Sequence, residues 1–306
     1  MPDAIRVQNL VKRYGALTAV DGLSFSVSSG EVFGILGPNG AGKTTTLEII
    51  EGIQKPTEGT ANVLNMDSHR DSKQVRERIG VQLQASAYFN YLKLREILEL
   101  FGRFYTKRLN HMELLETVGL SEKADVTVGK LSGGQKQRFT IAAALINDPE
   151  VVFLDEPTTG LDPQARRSLW GFIEQIRREG RTIVLTTHYM EEAELLCDRV
   201  AIMDNGKIVV EDTPKNLIRR LEMPYEIKFK VESVAAIEGL EELSGVRGVE
   251  AKGEGIYSMR SSDASRSVTE LLALMNSQKL SLSDLEVLPG NLEDVFLSLT
   301  GHRLRD

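Results

Sequence analysis

Apolar residues along the 306-residue chain fall into short compact runs separated by longer amphipathic stretches. Val32–Leu36, residues 151–154 and residues 182–185 are such runs, rich in valine and isoleucine. They suit strands buried on both faces of a mainly parallel sheet. Each precedes a loop and then a helix-like segment, which is the rhythm of an α/β domain. Residues 5–10 and 23–27 alternate polar and apolar positions more clearly, predicting an antiparallel N-terminal subdomain. Residues 92–145 carry no strand pattern and read as a helical subdomain.

A boundary is expected at Glu222-Met223-Pro224, where proline stops the preceding helix over 214–221. It separates a domain over 1–222 from a smaller one over 223–306. The smaller one starts with a strand, Tyr225–Val231, a helix over 234–243 and a strand over 246–251. Gly253-Glu254-Gly255 turns the chain into a strand over 256–260, followed by a helix over 265–276 and a strand over 282–287. The order β-α-β-β-α-β predicts a ferredoxin-like α+β domain. A last helix over 292–299 follows Pro289-Gly290, with Leu292, Val295, Phe296 and Leu299 spaced to form one buried face.

Composition narrows the class. Hydrophobic residues make up 41% and charged residues 26%, as in a globular protein. The formal charge of -7, without a long block of Lys and Arg, argues against nucleic acid as a partner. The single cysteine, Cys197, cannot form an internal disulfide, which fits a reducing compartment, and its apolar surroundings predict a buried thiol. Asp3 and Arg6 stand where a signal peptide needs apolar residues. No window approaches the ~18 to 20 apolar residues of a membrane span. A soluble protein is expected, with any membrane role borrowed from a partner.

Gly37-Pro38-Asn39-Gly40-Ala41-Gly42-Lys43-Thr44, continued by Thr45, matches the phosphate-binding P-loop between a predicted strand and a predicted helix. Its glycines let consecutive backbone N–H groups turn inward around a phosphate. Lys43 adds a positive charge for the β and γ phosphates, the Thr44 hydroxyl can ligate Mg²⁺, and the helix offers its positive end. Residues 151–154 lead into Asp155 and Glu156. Strand alternation sends the two carboxylates in different directions, so Asp155 suits the Mg²⁺ and Glu156 the attacking water. Taken alone, the pair reads equally well as a strand ending in solvated acids.

Leu131-Ser132-Gly133-Gly134-Gln135 then resembles the LSGGQ signature of ABC (ATP-binding cassette) ATPases, lying about twenty residues before the acid strand as in that family. The resemblance covers roughly residues 5–221. It implies a P-loop NTPase fold of ABC type and gives further residues their roles. Tyr14 takes the place of the aromatic that stacks on adenine. Gln84 matches the Q-loop glutamine that senses Mg²⁺ and the membrane partner. Gly160-Leu161-Asp162 matches the D-loop that crosses the dimer interface, and His188 the switch histidine at the γ-phosphate. In the family, Ser132, Gly133, Gly134, Gln135 and Asp162 complete the site of the opposite subunit. A head-to-tail homodimer closing on two ATP molecules is therefore implied, with ATP and Mg²⁺ as cofactors; a heteropartner stays open.

The catalytic set implied is Glu156, His188 and Gln84, with Thr44, Gln84 and Asp155 around the metal. A single cassette of this kind implies an ATPase at the cytoplasmic side of the cell membrane, peripheral and powering a separate permease. Residues 85–95 would meet that permease, although Tyr88, Phe89 and Tyr91 fit core packing almost as well as a docking groove. Pro289-Gly290-Asn291-Leu292-Glu293-Asp294-Val295-Phe296-Leu297 and the following Leu299-Thr300-Gly301 resemble the tail of daunorubicin-resistance exporters, as does Pro163-Gln164-Ala165-Arg166. That implies export of a drug, antibiotic or lipid-like substrate rather than import. Family members that act on DNA or ribosomes carry paired cassettes, coiled-coil insertions or basic arms, none of which the sequence displays.

Overall fold

The computed structural model describes residues 2–82, 88–89, 91–232 and 237–301. Its contacts define two compact units, one ending at Pro214 and the other beginning at Lys215.

The first unit opens with β1 (Asp3–Tyr14) and β2 (Leu17–Ser28), a long antiparallel hairpin whose inward positions are Ile5, Val7, Leu10, Val20, Leu23 and Val27. The chain then forms β3 (Val32–Leu36), α1 (Lys43–Ile50), β4 (Glu58–Val63), β5 (Met66–Asp67), α2 (Ser72–Arg78) and β6 (Ile79–Gln82). Helices α3 (Leu94–Gly102), α4 (His111–Thr117) and α5 (Gly133–Ala144) occupy the stretch expected to be helical. In α3, Leu94, Ile97 and Leu98 share a buried face, while Glu96 reaches back to the Lys93 N–H and caps the first turn. There follow β7 (Val151–Asp155), α6 (Pro163–Arg178), β8 (Thr182–Thr187), α7 (Met190–Leu196), β9 (Arg199–Asp204) and β10 (Lys207–Asp212).

Among the described residues these strands form two sheets. One runs β2-β1-β4-β5 and is antiparallel; the other runs β10-β9-β3-β8-β7-β6 and is parallel except at β10. Every residue of β3, β7 and β8 is buried, because both faces of the central strands are covered. Phe25 of the hairpin stacks on Phe33 of β3, with ring centroids 5.3 Å apart, in a core shared with Ile35, Phe153 and Val184. Cys197 is buried, and burial pushes its thiol up. Gly34 lets it approach: a Cβ there would lie 2.7 Å from the Cys197 Sγ. The topology sets β3 beside β8 and β8 beside β7, so the loops leaving their carboxyl ends are neighbours. That edge is where an open α/β sheet binds ligands.

The second unit begins within α8 (Pro214–Arg219) and goes on through β11 (Tyr225–Val231), β12 (Val246–Gly253), β13 (Ile256–Ser261), α9 (Ala264–Ser277), β14 (Leu282–Pro289) and α10 (Leu292–Thr300). Its antiparallel sheet runs β12-β13-β11-β14, the ferredoxin-like order. Ile227, Phe229, Tyr257 and Met259 pack with Leu271 and Met275 of α9. Two expectations fail here. Residues 237–243 form turns rather than the predicted helix, and 234–236 lie outside the described residues. Gly239, at φ 84°, takes a left-handed conformation that a continuing helix excludes. In α10, Leu292, Val295 and Phe296 are buried, but Leu299 is 45% exposed, so the apolar stripe is one position shorter than its spacing suggested.

Candidate nucleotide site

The loop between β3 and α1 wraps back over the start of its own helix. Gly42 is the N-cap of α1 with φ 98°, and a Cβ at Gly42 would lie 2.3 Å from the Ala19 carbonyl oxygen. Only glycine meets both conditions. Further ties hold the loop from beneath: the Gly206 N–H donates to the Ala41 carbonyl at 3.1 Å, and the Thr46 hydroxyl to the Gly42 carbonyl at 2.8 Å. Lys43 Nζ turns into the loop, donating to the carbonyls of Gly37 at 2.8 Å and Pro38 at 3.1 Å. Burial lowers its affinity for a proton, opposed by the nearby negative charges of Glu156 and Asp155. A phosphate set in this loop would meet one buried ammonium and a ring of backbone donors.

The two carboxylates arrive from β7. Asp155 ends the strand, 5% exposed, with its Oδ2 accepting the Thr44 hydroxyl at 3.1 Å. It also accepts the Thr186 hydroxyl of β8, so a side chain from each flanking element fixes its orientation. Thr44 and Asp155 together make a pair of hard oxygen donors. Such a pair suits a cation that takes one or two protein oxygens and completes its shell with phosphate and water, as Mg²⁺ does. No cluster of three or more His, Cys, Asp or Glu that could enclose a metal occurs among the described residues.

Glu156 has φ 47°, left-handed for a residue with a Cβ. Its N–H donates to the Thr186 hydroxyl at 3.0 Å, and its Oε2 accepts the Thr159 hydroxyl at 3.1 Å. Strain of this kind costs on the order of 1–3 kcal/mol and gathers where surrounding structure fixes a functional group. Here it turns the carboxylate back over the loop: Oε1 lies 3.6 Å from Lys43 Nζ, and Oε2 lies 3.4 Å from His188 Nδ1. Lys43, Thr44, Asp155, Glu156 and His188 thus meet on one edge of the sheet.

The remaining expected residues sit apart from this group. Ser132 caps α5 in a reciprocal box, its hydroxyl accepting the Gln135 N–H at 3.3 Å while Gln135 Oε1 accepts the Ser132 N–H at 3.0 Å. Gly134 lies tight against α6, where a Cβ would approach that of Ala165 to 3.0 Å. Asp162 caps α6 by accepting the Ala165 N–H at 2.9 Å. Ser132, Gly133 and Asp162 are exposed, and among the described residues no hydrogen bond or ion pair joins residues 132–135 or Asp162 to residues 37–45. Tyr14 stands 43% exposed at the end of β1, its hydroxyl donating to Gln54 Oε1 at 2.7 Å. Gln84 lies outside the described residues. Thr186 was not among the residues expected; only the pairing of β8 with β7 brings it to both acids.

A P-loop, two carboxylates at the end of a strand and a histidine just past the adjoining strand define a nucleotide hydrolase of the P-loop class. The sequence profile of the ABC transporter family matches residues 20–159. The chain is 42% identical over 311 residues to Nod factor export ATP-binding protein I of Ralstonia nicotianae, covering 99% of this chain and 95% of that one. It is 36% identical to daunorubicin resistance ATP-binding protein DrrA2 of Streptomyces coeruleorubidus, covering 98% and 96%, and 36% identical to linearmycin resistance ATP-binding protein LnrL of Bacillus subtilis, covering 99% and 100%. Among solved structures, the ADP conformation of the cassette MJ1267 superimposes with a TM-score of 0.64 at 27% identity, covering 71% of this chain and 93% of that one. A dimeric post-hydrolysis state of the cassette MJ0796 bound to ADP and Pi gives 0.62 at 28% identity, covering 68% and 98%. The chain belongs to the ABC transporter ATP-binding proteins. It is an ATPase of that family, as its LSGGQ signature implied.

Proposed function

We propose that this chain hydrolyses ATP to drive export through a separate membrane permease, acting as an ATP-closed dimer. The observation that carries the reading is the meeting of Lys43, Asp155, Glu156 and His188 on one sheet edge, while Ser132, Gly133 and Asp162 face solvent elsewhere. A site whose partners are displayed outward is one that a second copy completes. Tyr14 would stack on the base, residues 37–45 would hold the phosphates, and the second copy's Ser132 to Gln135 and Asp162 would close over the γ-phosphate. Thr44 and Asp155 would hold Mg²⁺, which supplies charge neutralisation at the phosphates when bound. Gln84 keeps the sensing role implied by its place in the motif order.

Chemically, Glu156 orients the attacking water through a carboxylate oxygen and draws on its proton. His188, 3.4 Å from that carboxylate, shares in aligning it toward the γ-phosphate. Closure and reopening follow from linkage between ATP affinity and dimer state. No helix among the described residues is long and apolar enough to cross a membrane, which fits a peripheral subunit on the cytoplasmic face. The aromatics after Gln84 divide: Tyr88 packs against Phe139 at 5.3 Å, whereas Phe89 and Tyr91 are 58% and 94% exposed and free to dock. The relatives' names support a drug, antibiotic or lipid-like cargo, chosen by the permease. Glu156→Gln tests the reading by light scattering during size exclusion. With Mg-ATP a dimer is expected; a monomer that nevertheless binds ATP overturns the homodimer.

A further inference from the structure

We propose that Glu192 and Arg166 are positioning residues for the switch histidine, tying His188 to the helix that begins at Asp162; the inference rests on the catalytic reading of His188 above.

Glu192 lies on α7 with no exposed surface. A carboxylate so placed is rare unless its neighbours hold it. Its Oε1 accepts the Trp170 indole N–H at 3.1 Å. Burial pushes the carboxyl up, while the Thr187, Trp170 and Thr158 side chains and the Arg166 charge draw it down. Those neighbours come from the three functional segments. Thr158 follows Glu156 by two residues, Thr187 precedes His188, and Arg166 and Trp170 lie on α6, which Asp162 caps.

Arg166 extends the link to the switch itself. Its guanidinium lies 4.1 Å from the centre of the Tyr189 ring, and that ring lies 4.1 Å from the His188 ring at an interplanar angle of 40°. The Tyr189 N–H donates to the Thr187 hydroxyl at 2.9 Å, so the backbone around His188 is pinned on the Glu192 side as well. Glu192 Oε2 and Arg166 Nε are buried without a hydrogen bond. An apolar filling would avoid that desolvation cost, so packing alone does not account for the pair. What the pair does provide is a rigid path from the exposed Asp162 cap to the ring of His188.

The experiment is steady-state ATP hydrolysis by the full-length chain, with fluorescent-nucleotide affinity and thermal melting measured in parallel. Glu192→Gln and Arg166→Gln are each made alone and on a His188→Ala background. The expected result for either variant is a kcat lower by about tenfold, as for other misplacements of a catalytic group, with nucleotide affinity within about twofold of wild type. On the His188→Ala background the same changes should cause no further loss. Equal losses on both backgrounds, or an unchanged kcat, overturn the inference and leave a purely structural role. A His188→Ala chain with the wild-type rate overturns the catalytic reading beneath it instead. Arg166 is half-buried, so Arg166→Gln keeps the test alive should Glu192→Gln fail to fold.

Discussion

Glu51, just past α1, is 2% exposed, and burial, with Asp155 and then Glu48 adding negative charge nearby, pushes its carboxyl up to about 8 from an ordinary value of 4.5. The folded chain therefore keeps a proton that the unfolded chain releases. Its contribution to stability is full below the unfolded value of 4.5 and is lost as pH rises through about 8. Glu51→Gln keeps the neutral shape without the ionisation. Melts of that variant should run above wild type at pH 8, with a gap that narrows steadily as pH falls toward 5. A lower melting temperature at pH 8 would count against a buried neutral carboxyl. Lys43 has the opposite duty, since its ammonium stands between the loop carbonyls and the Glu156 carboxylate. Lys43→Ala removes the phosphate contact and leaves two carboxylates uncompensated; fluorescent-nucleotide titration should show affinity weakened by tenfold or more, ~1.4 kcal/mol. Lys43, Asp155 and Glu156 were legible in sequence because local spacing carries them, whereas the burial of Glu51 was not. Thr186, Arg166 and Glu192 were not, because each acquires its role only from neighbours that the parallel strands bring in from distant segments. The left-handed backbone of Glu156 likewise leaves no mark in residue types.

Elements were most readable where one rule governed them. Val32–Leu36 was read with its observed bounds, and β7 and β8 differ from their predicted runs only at their ends, because strands buried on both faces show as unbroken apolar runs. The β9–β10 hairpin was missed although Asn205-Gly206, both at positive φ, is a strong two-residue turn signal between two apolar stretches. Residues 237–243 were misread in the other direction: their composition favours helix, but Gly239 breaks it. The loop between β3 and α1 depends on backbone that only glycine can supply. Gly42→Ala would place a Cβ 2.3 Å from a backbone carbonyl at a left-handed φ, and backbone cannot retreat as a side-chain tip can. The expected outcome is loss of nucleotide binding by calorimetric titration and a destabilisation exceeding ~1 kcal/mol in denaturant melts. Retention of wild-type affinity would show that the loop tolerates a different path.

At the scale of the molecule, the two units carry separate cores. Phe33, Ile35, Phe153 and Val184 belong to the first, and Phe229, Tyr257, Met259 and Leu271 to the second. A second unit was expected from the shift in pattern after Met223-Pro224, whereas the contacts divide the chain between Pro214 and Lys215, and nothing local encodes how two cores couple. Phe229 offers a clean probe. It is 1% exposed in the middle of β11 and stacks on Tyr257 with ring centroids 5.5 Å apart. Phe229→Ala should cost about 3–5 kcal/mol through lost burial and the cavity left behind. If the units unfold as separate cooperative blocks, scanning calorimetry will show two transitions in the wild type. The substitution will lower one of them and spare the other, and nucleotide affinity will stay at the wild-type value. If both transitions fall together, the second unit stabilises the ATPase core, and export activity should then fall with it even though every residue of the nucleotide site is unchanged.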